Sequence, residues 1–286
     1  MNAQFEGGAD PSWLGSPIDA RPLFGPELAA LLDVLRGLQP AEWSNLAVPG
    51  WTVHDLAAHI LGDFYGRLGR RESSRVRHVR IFQRGETLEA FIHRTNQEWV
   101  DLHRGVGSDA LIEDLELAGA QVVRRFLGAD LQTPSLGVSW AGIDPAPMWL
   151  DCAREFTEYW THRQQIRHAT GQDTDPEPRA LSVVLDTFMR ALPHALRNTA
   201  APVGTQVRVV VDGPSGGTWT ATATADRWSL AQVPNGSLKA TVQLDAETAW
   251  RLCTRGIDPT TALARACVYG DSRLAEAACN IVSIVY

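Results

Sequence analysis

Residues 49–63 read PGWTVHDLAAHILGD, and this stretch determines how the N-terminal part of the chain is built. The Pro-Gly pair indicates a turn. Thr52, followed three residues later by Asp55, has the pattern of a capping box, so a helix is predicted to begin near Val53. Apolar residues then recur at helical spacing, and His59 borders the stripe that they form. The stretch therefore predicts an amphipathic helix that carries one histidine at the edge of its buried face.

The apolar periodicity of a helix recurs through the first 170 residues of the chain. Four further segments carry it, around residues 28–35, 88–99, 111–126 and 147–170. A series of at least four substantial helices is typical of an up-and-down bundle. The sequence therefore predicts an N-terminal four-helix bundle.

The character of the sequence changes at residues 171–180, GQDTDPEPRA, which are rich in Pro, Asp and Gly and indicate a linker. Beyond it, after one more amphipathic stretch, lie three β-branched runs, VRVVV, TWTATAT and ATVQL, followed by the helical patterns AETAWRLC and SRLAEAAC. The predicted fold class is therefore α+β. We expect a helical bundle over residues 1–172 and a smaller α+β domain with an antiparallel sheet over residues 173–286.

Composition excludes several classes of protein. A net charge of -7, with 33 acidic against 26 basic residues, argues against a nucleic-acid or anionic-membrane surface. No apolar run reaches the roughly 18 residues of a membrane span, and residues 1–19 lack the features of an export signal. The four cysteines form no CxxC motif. We therefore expect a reduced, cytoplasmic protein.

Acid and histidine pairs at a spacing of four are candidate metal sites, because both side chains then lie on one helix face with Cβ atoms about 5–6 Å apart. The sequence contains three such pairs in which the acid comes first: Asp55 with His59, Glu89 with His93, and Glu158 with His162. With 33 acidic residues and 8 histidines in 286 positions, about one pair is expected by chance. The residues around each pair therefore have to show which pair is a candidate metal site.

The surroundings favour the third pair. Glu89 and His93 lie among polar residues, which is typical of a solvated helix face, and the aspartate of the first pair is better explained as a helix cap. Glu158 and His162 lie on a helix rich in aromatic residues, where a charged group needs a partner. Two interpretations stay open: a metal site shared with His59, or a structural ion pair or hydrogen-bonded histidine, which these residues alone favour.

A family resemblance bears on this choice. PGWTVHDLAAHILGD resembles the first metal-binding helix of the mycothiol-dependent maleylpyruvate isomerase family, which is related to the DinB-like helical bundles. Residues 153–171, AREFTEYWTHRQQIRHATG, resemble that family's second metal helix. The resemblance implies His59, Glu158 and His162 as metal ligands, and Asp63, one turn after His59, can orient that ring. The C-terminal part is similar to the family's sterol-carrier-protein-like domain.

The resemblance also implies a chemistry. Two imidazoles and one carboxylate suit Zn²⁺ best, with Ni²⁺, Co²⁺ or Fe²⁺ as substitutes, and leave a position open for a ligand. The family implies mycothiol as a thiol cosubstrate, an actinobacterial source, and isomerisation or S-transfer on a small electrophile such as maleylpyruvate. The alternative is a non-catalytic small-ligand-binding or regulatory protein with a structural or vestigial metal site. The sequence predicts no oligomeric state.

Overall fold

The computed structural model describes residues 10–69, 82–232 and 236–283. It forms two compact units, and each unit is assembled from several separate segments of the sequence. The helical unit contains residues 21–69, 82–129 and 158–175, and the sheet unit contains residues 10–20, 130–157, 176–232 and 236–283. The domain division after residue 172 stays a prediction. Residues 1–9 lie outside the described residues. They are part of residues 1–19, in which the sequence predicts no export signal.

Over the described residues, the helical unit is built from five α-helices and a short hairpin. They are α1 (Phe24–Gly37), β1 (Leu46–Val48), β2 (Trp51–Thr52), α2 (Val53–Leu68), α3 (Leu88–His103), α4 (Ser108–Leu127) and, from residue 158 onward, α5 (Met148–Ala169). Helix α2 packs against both α3 and α4, and α4 packs against α1. The predicted helical bundle is therefore confirmed. None of the described helices is long and apolar enough to cross a membrane.

The start of α2 follows from its local sequence. The hydroxyl of Thr52 accepts a hydrogen bond from the Asp55 backbone N–H, and the Asp55 carboxylate accepts one from the Thr52 backbone N–H. This capping box satisfies two donors that the first helical turn would otherwise leave unpaired. Gly50, with φ of +86°, makes the turn between β1 and β2 that precedes the cap. The cap fixes where α2 begins and therefore where His59 lies along it.

The sheet unit combines helices with strands. Its elements are β3 (Pro134–Ser135), β4 (Ala146–Pro147), the first part of α5, α6 (Pro178–Phe188), α7 (Leu192–Leu196), β5 (Thr205–Val211), β6 (Gly217–Ala223), β7 (Trp228–Ser229), β8 (Ser237–Leu244), α8 (Ala246–Cys253), α9 (Pro259–Arg265), β9 (Cys267–Gly270) and α10 (Ser272–Ala278). The last five strands form one sheet in the order β7-β6-β5-β8-β9. The predicted α+β class is confirmed.

The pairing of the sheet adds one feature that the sequence pattern did not predict. Three of its pairings are antiparallel, as expected, but β5 and β8 run parallel. A tight hairpin imposes antiparallel neighbours, whereas β8 joins the far side of β5 after β6 and β7 and is not bound by that constraint. Alternate residues of β5 are buried, and α10 packs against β5 and β8.

Candidate metal centre

The side chains of His59, Asp63 and His162 come together within the helical unit. One potential ligand atom from each lies within 4.8 Å of the other two. His59 Nε2 lies 3.4 Å from Asp63 Oδ2, one turn along α2. The rings of His59 and His162 meet edge to face, with centroids 4.9 Å apart. The fold thus brings together two histidines from distant parts of the sequence, which the resemblance had assigned to one site.

Glu158 borders the same group. Its Oε2 lies 3.6 Å from His162 Nε2, one turn earlier on α5. The group of three whose ligand atoms lie within 4.8 Å of one another contains Asp63 as its carboxylate, so each of the two helices offers one imidazole and one carboxylate at a spacing of four. Sequence reasoning had given Asp63 only the task of orienting His59. The same spacing was visible in the sequence, but the distances to His162 were not.

His162 is held in the protonation state that binds metals. Its Nδ1 lies 2.8 Å from Oε1 of Gln165, an atom that can only accept a hydrogen bond, so we assign the proton to Nδ1. Its buried Nε2 has no hydrogen-bond partner among the described residues. Burial, reinforced by the neighbouring His59, lowers the pKa of His162 to about 4. The ring is therefore neutral at pH 7 and presents an unmatched lone pair.

The orientation of α5 is fixed by the residue that follows His162. The guanidinium of Arg163 donates two hydrogen bonds to the Glu27 carboxylate on α1, at 2.6 and 2.9 Å, and a third to Asp175 at 2.7 Å. Both Arg163 and Glu27 are almost fully buried. This ion pair attaches α5 to α1.

The two other acid and histidine pairs have the roles that their surroundings indicated. Asp55 caps α2, and Glu89 and His93 are both exposed on α3. Gln165 was missed at the level of sequence, although a polar residue three positions after a candidate ligand is a usable signal for its orienting partner.

The donor set fits a divalent transition metal. Imidazole nitrogens and carboxylate oxygens are the protein ligands that zinc and its neighbours accept alongside thiolates. A buried polar nitrogen without a partner is rare in folded proteins and calls for an explanation such as a bound ion. The unmatched Nε2 of His162, beside His59, Asp63 and Glu158, is available as a donor to such an ion.

Comparisons with known proteins give one family match. Residues 24–167 match the family described as "Mycothiol maleylpyruvate isomerase N-terminal domain". No curated protein matches the chain. Two crystal structures of mycothiol-dependent maleylpyruvate isomerase are similar, one of them a histidine-to-alanine mutant. The mutant is 16% identical with a TM-score of 0.49, the other is 17% identical with a TM-score of 0.47, and both matches cover 84% of this chain and 90% of the other.

Proposed function

The chain belongs to the family of the mycothiol maleylpyruvate isomerase N-terminal domain, a family of enzymes, and we propose that it is a metal-dependent enzyme that uses a low-molecular-weight thiol. The thiol is mycothiol, and the substrate is a small electrophile of the maleylpyruvate type. The observation that carries the proposal is the buried, neutral and unmatched Nε2 of His162 beside His59. The reaction is isomerisation, with S-transfer as the closest alternative.

We propose His59, Glu158 and His162 as the ligands of one divalent ion, with Zn²⁺ fitting best and Ni²⁺, Co²⁺ or Fe²⁺ fitting the same donors. When bound, the cation stabilises a thiolate and so makes the thiol nucleophilic at neutral pH. Gln165 holds the proton on Nδ1 of His162 and thereby keeps Nε2 available as a donor. Asp63 lies beside His59 and fixes its ring.

Reversible addition of a thiolate can convert a cis double bond into a trans double bond. The thiolate sulfur adds to one carbon of an alkene conjugated to a carbonyl, and the electron pair of the double bond moves onto the carbonyl oxygen. The former double bond is then single and can rotate. Return of the electron pair re-forms the alkene in the trans geometry and expels the thiolate unchanged. If the adduct takes up a proton instead, the product is a thioether and the reaction is S-transfer.

The protein's own cysteines support an external thiol. Burial raises the pKa of Cys253 to about 12 and that of Cys279 to about 11, so both are protonated at neutral pH and poor nucleophiles. Cys152 is buried, and Cys267 is exposed on β9. All four cysteines lie in the described part of the chain and none of them forms a disulfide, which supports a reducing location such as the cytoplasm.

The alternative of an apolar ligand held in the sheet unit is not favoured. The cavity between the sheet and its helices, lined by Met189, Val209 and Leu252 among others, has a volume of about 10 Å³. A space of that size holds at most about one water molecule. This cavity is therefore too small to hold an apolar ligand.

The direct test is conversion of maleylpyruvate by zinc-loaded protein, followed by separation of the products. We expect conversion to the trans isomer only when mycothiol is present, little with glutathione, and none after chelation of the metal. Accumulation of a mycothiol adduct would assign S-transfer instead. Conversion that needs neither thiol nor metal, or no reaction of any kind, would contradict the proposal.

Two matched amide variants test which carboxylate is the ligand. Glu158→Gln should abolish stoichiometric metal binding, because the amide oxygen is a much weaker ligand than a carboxylate. Asp63→Asn should weaken the affinity by about tenfold, the effect of losing a partner that orients a ligand. Both affinities can be measured by competition with a chromophoric chelator. If Asp63→Asn abolishes metal binding and Glu158→Gln only weakens it, then Asp63 is the ligand and Glu158 is the orienting group.

A further inference from the structure

We infer that Trp51 is a positioning residue of the metal centre, which packs against His59 and keeps its ring turned toward His162. The inference rests on the metal site proposed above. Trp51 lies in β2, immediately before the residue that caps α2. Trp51 is not itself a metal ligand, because an indole N–H only donates hydrogen bonds.

The contact between Trp51 and His59 is direct. Their ring centroids are 4.9 Å apart with an angle of 45° between the planes. The His59 ring also meets the ring of His162, at the same centroid distance and an angle of 81°. His59 is therefore in contact with two rings, which limits the rotation of its side chain. A ligand held in its binding rotamer loses less conformational entropy when the ion binds.

Trp51 is itself fixed by a short chain of hydrogen bonds. Its Nε1 donates to Oε1 of Gln97 on α3 at 2.9 Å, and the amide nitrogen of Gln97 donates to Asp101 at 2.8 Å. The side chain is only partly buried, which distinguishes it from the fully buried tryptophans of the core. The anchor fixes the plane of the ring that His59 contacts.

The electrostatics of the contact favour the metal-bound state. An aromatic face carries partial negative charge and attracts positive charge placed over it, most strongly for Trp. Coordination of a divalent cation draws electron density from the imidazole and makes the His59 ring more positive. The contact with Trp51 therefore becomes stronger when the ion is bound. Through His59, Trp51 raises the affinity of the site without touching the ion.

The experiment is a Co²⁺ titration of metal-free protein, followed by the visible absorption of Co²⁺ and by tryptophan fluorescence. Trp51→Ala should bind Co²⁺ about tenfold more weakly than wild type. Trp51→Phe keeps an aromatic face and should restore most of the affinity, but it should lose most of the fluorescence quenching that Co²⁺ causes, because the indole in contact with His59 is gone. Gln97→Ala, which removes only the anchor, should weaken binding to a smaller extent.

Trp43 provides a matched control. It also packs against a histidine in the helical unit, with the ring centroid 6.0 Å from that of His54, which is not part of the metal group. Trp43→Phe should retain both the affinity and the quenching. Wild-type affinity in both Trp51→Ala and Gln97→Ala would overturn this inference alone. Failure of wild-type protein to bind Co²⁺ would overturn the metal centre as well.

Discussion

Replacement of His162 by Ala is expected to yield protein without bound divalent metal, where the wild type carries about one ion per chain. The substitution removes the one buried nitrogen whose lone pair has no partner among the described residues. Of the three proposed ligands only His59 and Glu158 then remain, one fewer than a catalytic zinc site normally requires. Elemental analysis measures the loss. Zinc at a free concentration of 100 Kd should raise the free energy of unfolding of the wild type by about 2.7 kcal/mol, and it should leave that of the variant unchanged.

Two further variants separate metal loss from damage to the fold. His162→Gln retains most of the side-chain volume and should lose the metal with less cost to the free energy of unfolding. His93→Ala changes the exposed histidine of the pair at the same spacing on α3, and it should keep the metal. Metal-free wild type, or a His162→Ala protein that retains the ion, would contradict the site.

The parts of the site that could be predicted from the sequence are those whose residues lie close together along the chain. The capping box of Thr52 and Asp55 lies within four residues, and the pair of Glu158 and His162 lies within one helical turn. Spacing alone could not join these segments to one another. The family resemblance supplied that link, and the fold then placed the rings of His59 and His162 in contact.

The features that escaped prediction depend on contacts between distant residues. The parallel pairing of β5 with β8 depends on the path of the chain after β7, which local alternation does not encode. Residues 10–20 belong to the sheet unit, where the carbonyl of Trp13 accepts a hydrogen bond from Leu230 and that of Leu14 accepts one from Arg190. The choice between Asp63 and Glu158 as the nearer carboxylate likewise needs distances across two helices.

The ion pair of Arg163 and Glu27 should dominate the stability of the helical unit. Arg163→Met is expected to lower the free energy of unfolding by about 3–5 kcal/mol, since it leaves the Glu27 carboxylate buried without its cation. The side chains are only 3% and 4% exposed, so water cannot replace the lost partner. The exposed pair of Arg36 and Glu116 also joins α1 to another helix, and Arg36→Met should cost less than about 1 kcal/mol.

The pH dependence of the Arg163→Met variant tests the same argument. Burial raises the pKa of Glu27, and the guanidinium of Arg163 counteracts that rise in the wild type. Without Arg163, the folded-state pKa lies further above the unfolded value, so the variant loses stability as the pH rises through the folded pKa and is closest to wild type in acid. Urea unfolding of metal-free protein at pH 5 and pH 8 measures the difference. The double variant Glu27→Leu, Arg163→Met should recover much of the loss, because an apolar pair leaves no buried charge. An equal loss at both pH values, or no recovery in the double variant, would show that the cost arises from packing and not from the unpaired carboxylate.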